Sequence, residues 1–505
     1  MPRFLRSDVG LLVLLAILFS GVHIAISSPY GFHRDELITL DDARHLDWGF
    51  VAYPPLTPAL GRVELWLFGA TTMGVRVFST LALAFAALLS GLMARDLGGS
   101  RRAQLLTAVN VAIVPIVVIQ TTVLQYVSFD YLWAVLLTFC LVRLLKTGDE
   151  RWWLGVGTAI GLGMMTKYTM AFFVTGLVGG LIASGLFDRN LRRQALSRWL
   201  WAGVAISLVI FIPNFIWQVD HHFISLNFLR HIHTRDVGQG RSHGFLIQQL
   251  YVCVSALLSP LVFLGLWFYF REQARKYVLL GWMFMCTMAL FVAGQGRSYY
   301  MGPLYPALLA GGCVVWDRWI AGRTRSMGLA LQGLTWLLVA VSMVLSFALF
   351  TPIAPVNSAA WNAALTIHDN FAEEIGWPEL VATVAQVYQS IPADQRAGVG
   401  IIVGNYGEAG AVNMFGPKYG LPPVISGTNS LWYRTYPANQ PQTLIAVGLG
   451  DGFRRDHFEN CQLVAHNIVP YGVSNEESRD HPDIYLCHHL LQSWPDFWED
   501  FEWFG

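Results

Sequence analysis

The chain has 505 residues, 54% of them hydrophobic, 13% aromatic and only 13% charged, with a mean hydropathy of +0.46. A soluble domain carries about 25% charged residues, so the charge needed for a water-facing surface is missing; disorder, collagen, coiled coil and nucleic-acid binding are excluded by the same figures, and the sequence reads as an integral membrane protein. The net charge of zero is divided, with 27 Lys+Arg against 16 Asp+Glu in residues 1–350 and 6 against 17 in residues 351–505, which implies two domains in different surroundings.

A spanning helix needs about 20 mostly apolar residues. In chain order the pattern predicts spans at 8–27, 72–94, 103–120, 130–146, 152–166, 168–187, 199–217, 247–270, 277–294, 300–316 and 327–350. With the N-terminus inside, the inner segments hold 17 Lys and Arg, among them Arg3, Arg6, Arg101, Arg102, Arg189 and Arg192, and the outer ones before residue 350 hold eight. That bias follows the positive-inside rule and sets residues 351–505 outside. The expected division is a transmembrane domain over 1–350, with its chemistry in the first outer loop 28–71, and an extracytoplasmic α/β domain over 351–505.

The tail predicts a helix from Trp377-Pro378 to about Ser390, strands at Val399–Val403, Thr443–Val447 and Gln462–Val469, and a helix over Asn405–Gly416. The Gly-Leu-Gly-Asp-Gly run at 448–452 lacks dinucleotide-loop spacing and reads as a turn. Cys461 and Cys487 are expected to pair if the tail lies in an oxidising space. No nucleophile–base pair stands out, so the tail is expected to cover the substrate rather than catalyse.

The first outer loop carries most of the chemistry. It reads Tyr30-Gly-Phe-His33-Arg34-Asp35-Glu36-Leu37, then Asp41-Asp42, His45-Leu46-Asp47-Trp48-Gly49 and Tyr53-Pro54-Pro55-Leu56-Thr57-Pro58. Six acids fall between residues 35 and 64, directly after a span. They could simply keep the loop solvated, but adjacent carboxylates there also suit proton abstraction, one acting while its neighbour orients or binds.

The order H-R-D-E-L, R-H-L-D-W-G and P-P-L-T-P after a span resembles the bacterial branch of the protein O-mannosyltransferase-like glycosyltransferases, family 39, which includes the aminoarabinose transferases. Met165-Thr-Lys167-Tyr168, Gly296-Arg297-Ser-Tyr299-Tyr300 and Gly404-Asn405-Tyr406-Gly407-Glu408 extend the likeness along the chain. The resemblance implies a C-type glycosyltransferase fold and a multi-pass protein of the bacterial cytoplasmic membrane. It also implies transfer of a sugar from a polyprenyl-phosphate carrier to a lipid, glycan or protein acceptor at the outer face. Asp35 is then the expected base with Glu36 beside it, and His33 and Arg34 are expected at the substrate. The aminoarabinose transferases have a lysine where this chain has Tyr53, so a phosphate contact is not inherited there, and Tyr53 is expected at the substrate in its place.

Other residues compete with structural roles. Asp130 either caps the fourth span or supports the site, as the resemblance implies. Lys167 either snorkels to the interface or meets lipid phosphate. Arg297, with Tyr299 and Tyr300, belongs either to an aromatic belt or to a phosphate fork. The 218–246 segment holds five histidines; His231-x-His233 lacks an evident third metal ligand, so no metal or other cofactor is expected. The competing function is a transporter or flippase, which usually shows inverted repeats and midplane charges. Convergence of Asp35, Asp130, Lys167 and Arg297 on one outward site would favour the transferase.

Overall fold

The computed structural model describes residues 7–27, 29–185, 193–194 and 196–505; Arg3, Arg6, Arg189 and Arg192 of the inner cations lie outside them. Six helices among the described residues are long and apolar enough to cross a membrane: Asp8–Ile26, Thr72–Asp96, Tyr126–Thr147, Arg198–Asp220, Glu272–Ala293 and Arg325–Phe350. Four more predicted spans appear as shorter helices: Arg101–Ile113 with Pro115–Gln120, Trp152–Met164, Met170–Gly185 and Tyr305–Ala321. The expected continuous span at 247–270 is instead two helical pieces, Phe245–Cys253 and Ala256–Tyr269, bent by 96°. Val254 between them is extended, and the helix Ser259–Tyr269 restarts with Pro260 in its first turn. A proline there gives up no hydrogen bond that the helix could have made.

Small residues let the helices approach closely, as lipid-embedded packing requires. A Cβ on Gly157 would stand 2.0 Å from the carbonyl oxygen of Gly203, which brings Trp152–Met164 against Arg198–Asp220. One end of the bundle is cationic. There Asp96 is met by Arg143 at 3.2 Å and Lys146 at 2.8 Å, Arg101 pairs with Asp8, and Arg318 donates to the carbonyls of Leu97 and Gly98.

The opposite end carries the tail, built on a five-stranded sheet of order β2-β1-β3-β5-β4. β1 (Val399–Val403) pairs in parallel with β2 (Val424–Ile425) and with β3 (Thr443–Val447); β5 (Asp483–Leu490) runs antiparallel to β3 and to β4 (Phe458–His466). β1, flanked on both sides by β2 and β3, is buried along its length. Cys461 and Cys487 face each other across β4 and β5 and form a disulfide closing a separation of 26 residues. The expected helix from Trp377 is present to Ser390. The expected strand at 462–469 starts earlier and ends at His466, because its pairing with β5 outweighs the local apolar run.

Candidate functional site

The first outer loop begins with the helix Arg34–Arg44. His33 caps it, accepting from the amide of Asp35 at 3.1 Å, while Glu36 reaches back to the His33 amide at 2.8 Å. This reciprocal arrangement satisfies the free amides of a helix start and sets the directions of residues 33–36. His33 is buried, and desolvation holds its imidazole below the usual pKa.

Four of the six acids expected in the loop are sealed. Glu36 has no exposure and takes both prongs of Arg76, Nε at 2.8 Å and Nη2 at 2.6 Å, together with the amide of Leu124 at 2.8 Å. Asp41 and Asp42 are bridged by Arg434 of the tail, at 2.6 and 2.7 Å. Glu64 accepts from the amide of Phe78 at 2.6 Å. Asp47 is exposed but holds the Trp217 indole at 2.7 Å and the Trp48 amide at 2.7 Å. The adjacent Gly49 leaves room for that indole, since a Cβ would lie 2.4 Å from it.

Asp35 is different. Its side chain keeps 30% exposure and meets two neutral donors, Gln125 Nε2 on Oδ2 at 2.7 Å and the Tyr406 hydroxyl on Oδ1 at 3.0 Å. Gln125 leads into the helix Tyr126–Thr147, and the Tyr126 ring lies 4.7 Å from Lys167 Nζ. Tyr299 and Tyr300 complete a three-sided cage around the same ammonium, at 5.0 and 4.3 Å from their ring centres. Electron-rich ring faces hold a cation without neutralising it, which leaves its charge available to an anion. Arg297 opens this segment and grips Asp236 with two bonds, Nε at 2.6 Å and Nη2 at 2.8 Å. Burial raises the Tyr299 phenol, but Lys167 and Arg297 more than reverse that and hold it below its ordinary value.

Asp130 lies one helical turn beyond Tyr126, accepts from the Thr169 hydroxyl at 2.9 Å and leaves its other oxygen without a hydrogen-bond partner among the described residues. The helix starts at Tyr126 with Gln125 as its cap residue, so the capping reading of Asp130 fails. Asp35, Asp130, Lys167 and the Arg297–Tyr300 segment thus gather around the first turns of one helix.

Three expectations change. Glu36 presents no open oxygen, because it is enclosed with Arg76, and so cannot reach a reacting atom. Arg34 is committed to the tail: Nη1 binds Glu476 and lies 3.6 Å from Glu373, while Nε donates to the Tyr406 hydroxyl at 3.0 Å. Tyr53 is buried and donates to Asp42 at 2.6 Å. Of the histidine-rich segment, His231 and His233 lie on the helix Ile224–Gly238, where an i,i+2 pair points away from a common ligand, so the two do not share a face.

Arg76, Gln125, Tyr126, Asp236 and Arg434 were not singled out for the site by sequence reasoning, and Tyr406 was noted only as part of the Gly404–Glu408 motif of the tail. Arg76 had a signal, an arginine at the start of an otherwise apolar span, where a charge needs a partner.

The sequence profile of the dolichyl-phosphate-mannose-protein mannosyltransferase family matches residues 52–217. An undecaprenyl phosphate-alpha-4-amino-4-deoxy-L-arabinose arabinosyl transferase 1 of Pseudomonas fluorescens (strain Pf-5) is 28% identical over 310 residues, 57% of this chain and 54% of that protein. Its counterpart in strain Pf0-1 is 26% identical over 363 residues, 67% of this chain and 60% of that protein. The chain therefore spans little more than half the length of these curated relatives. Among solved structures, ArnT from Cupriavidus metallidurans bound to undecaprenyl phosphate superposes with a TM-score of 0.57 at 16% identity, covering 95% of this chain and 97% of that one. The mycobacterial arabinofuranosyltransferase AftD gives 0.52 at 14% identity, covering 95% and 40%. At these identities the likeness is one of fold.

Proposed function

We propose that the chain, which shares the C-type glycosyltransferase fold, is a member of the protein O-mannosyltransferase-like glycosyltransferases and transfers a sugar from a polyprenyl-phosphate carrier to a lipid, glycan or protein acceptor. The observation that carries this reading is the setting of Asp35. Of the two first-loop acids that are not sealed, Asp35 and Asp47, Asp35 alone is joined through Gln125 to the helix whose first residue, Tyr126, lines the cage around Lys167. The proposed orientation puts the cationic end of the bundle and the N-terminus in the cytoplasm, with eleven crossings and the tail outside.

In the proposed step the Asp35 carboxylate takes the proton of an acceptor hydroxyl as its oxygen attacks the anomeric carbon. The bond from that carbon to the carrier phosphate oxygen breaks, and the electron pair leaves with the polyprenyl phosphate. Lys167 and Arg297 stabilise the phosphate as its charge grows, so no strong acid is needed. Glu36 has a positioning role, fixing the helix that carries Asp35. A single displacement inverts the anomeric centre. Purified full-length protein, supplied with polyprenyl-phosphate sugars and acceptor lipids, should yield product of inverted anomeric configuration by NMR; retention of configuration, or movement of lipid across vesicles without transfer, would overturn the reading.

A further inference from the structure

We propose that Tyr406, on the tail, is a positioning residue for Asp35, so that docking of the tail completes the base. The inference rests on the transferase reading and adds a component from the domain otherwise expected to act as a cover. The Tyr406 hydroxyl donates to Asp35 Oδ1 at 3.0 Å, and its acceptor side is taken by Arg34 Nε, also at 3.0 Å. The Arg34 guanidinium lies over the same ring at 4.8 Å. A donor bound to the phenol oxygen polarises its hydrogen towards the carboxylate, as in any hydrogen-bonded chain.

The phenol is held from behind. Tyr406 is the first residue of the helix Tyr406–Phe415, whose start is closed by a reciprocal cap between Asn405 and Glu408. That helix lies directly against Arg34–Arg44: a Cβ on Gly410 would be 2.6 Å from the carbonyl carbon of Leu37. Arg34 is tied in turn to Glu476 and Glu373. The Tyr406 hydroxyl is therefore held between two first-loop residues, Asp35 and Arg34, and Arg34 is itself tied back to the tail.

With Gln125 on one oxygen and Tyr406 on the other, the plane of the Asp35 carboxylate is set, and each oxygen retains a lone pair for the acceptor proton. Removing one anchor frees the group to rotate about its last bond. A carboxylate that loses a donated hydrogen bond also holds its proton to higher pH.

The test is Tyr406→Phe in the full-length protein. The expected result is a fall of roughly tenfold in kcat with an unchanged KM for the lipid donor. The acidic limb of the kcat profile should move to higher pH. Difluorotyrosine at 406, which keeps the shape and donates more strongly, should move that limb to lower pH, a response that packing alone does not produce. Unmoved limbs and a near-normal kcat in both variants, with Asp35→Asn inactive, would overturn the positioning role and leave the transferase reading standing. An active Asp35→Asn enzyme would overturn the reading itself.

Discussion

Arg76 and Glu36 form a two-pronged pair, at 2.8 and 2.6 Å, in which neither side chain has any exposure. Arg76 opens a membrane helix and Glu36 belongs to the first outer loop, while Arg76 also reaches Glu374 of the tail at 3.4 Å. One buried guanidinium thus joins the bundle, the loop and the tail. Removing one member of such a pair leaves the other charge buried without compensation, which costs about 3–5 kcal/mol. Glu36→Ala should therefore lower the unfolding midpoint of the whole protein, and Asp35→Asn should leave it close to that of the native chain. Unfolding followed by intrinsic fluorescence would check both.

The tail interface should weaken as pH rises. Burial is the leading cause that raises Glu373 to about 7, Glu374 to about 8 and Glu408 to about 8, with neighbouring carboxylates adding to it. The ordinary value is 4.5, so between 4.5 and these values the folded chain keeps protons that the unfolded chain has released. Their contribution to stability is complete below 4.5 and is lost as pH rises through about 7 to 8. The slope is at most about 1.4 kcal/mol per pH unit for each group. Between pH 5 and 8 the melting temperature should fall, and Glu408→Gln should flatten the fall. A flat native profile would contradict the assignment.

Lys167 and Arg297 should act on the donor. Lys167→Ala empties the tyrosine cage, and Arg297→Ala leaves the Asp236 carboxylate, among the described residues, with the 3.3 Å ion pair to Arg241. Each is expected to raise the donor KM about tenfold, equivalent to roughly 1.4 kcal/mol, with a smaller effect on acceptor use. Equal losses towards donor and acceptor, together with a lower melting temperature, would mark both residues as membrane anchors. Titrating the lipid carrier against each variant supplies the measurement.

Much of this architecture could be read from periodicity and from punctuation by proline and glycine. Helix Trp377–Ser390 and strand Val399–Val403 appear where the pattern placed them. The break at 254–255 was not legible, because an apolar run looks the same whether straight or bent. Strand Asp483–Leu490 was missed because its polar residues mask a register set by β3 and β4. At the site, Asp35, Lys167 and Arg297 stood out as charges beside apolar spans. The separation of Asp35 from Glu36 did not, since only the fold brings Arg76 across 40 residues to bury one carboxylate and leave its neighbour open. Tyr406 lies 371 residues from its partner, in a motif whose local role as a helix start is also filled.

The most direct measurement is turnover of a polyprenyl-phosphate-linked sugar by the purified full-length protein, native against Asp35→Asn. This substitution keeps the volume of the side chain and removes the group proposed to accept the proton. A loss of at least about a hundredfold in kcat is expected, with donor binding and melting temperature retained. Turnover of the variant near the native rate would contradict the assignment of Asp35 as the base.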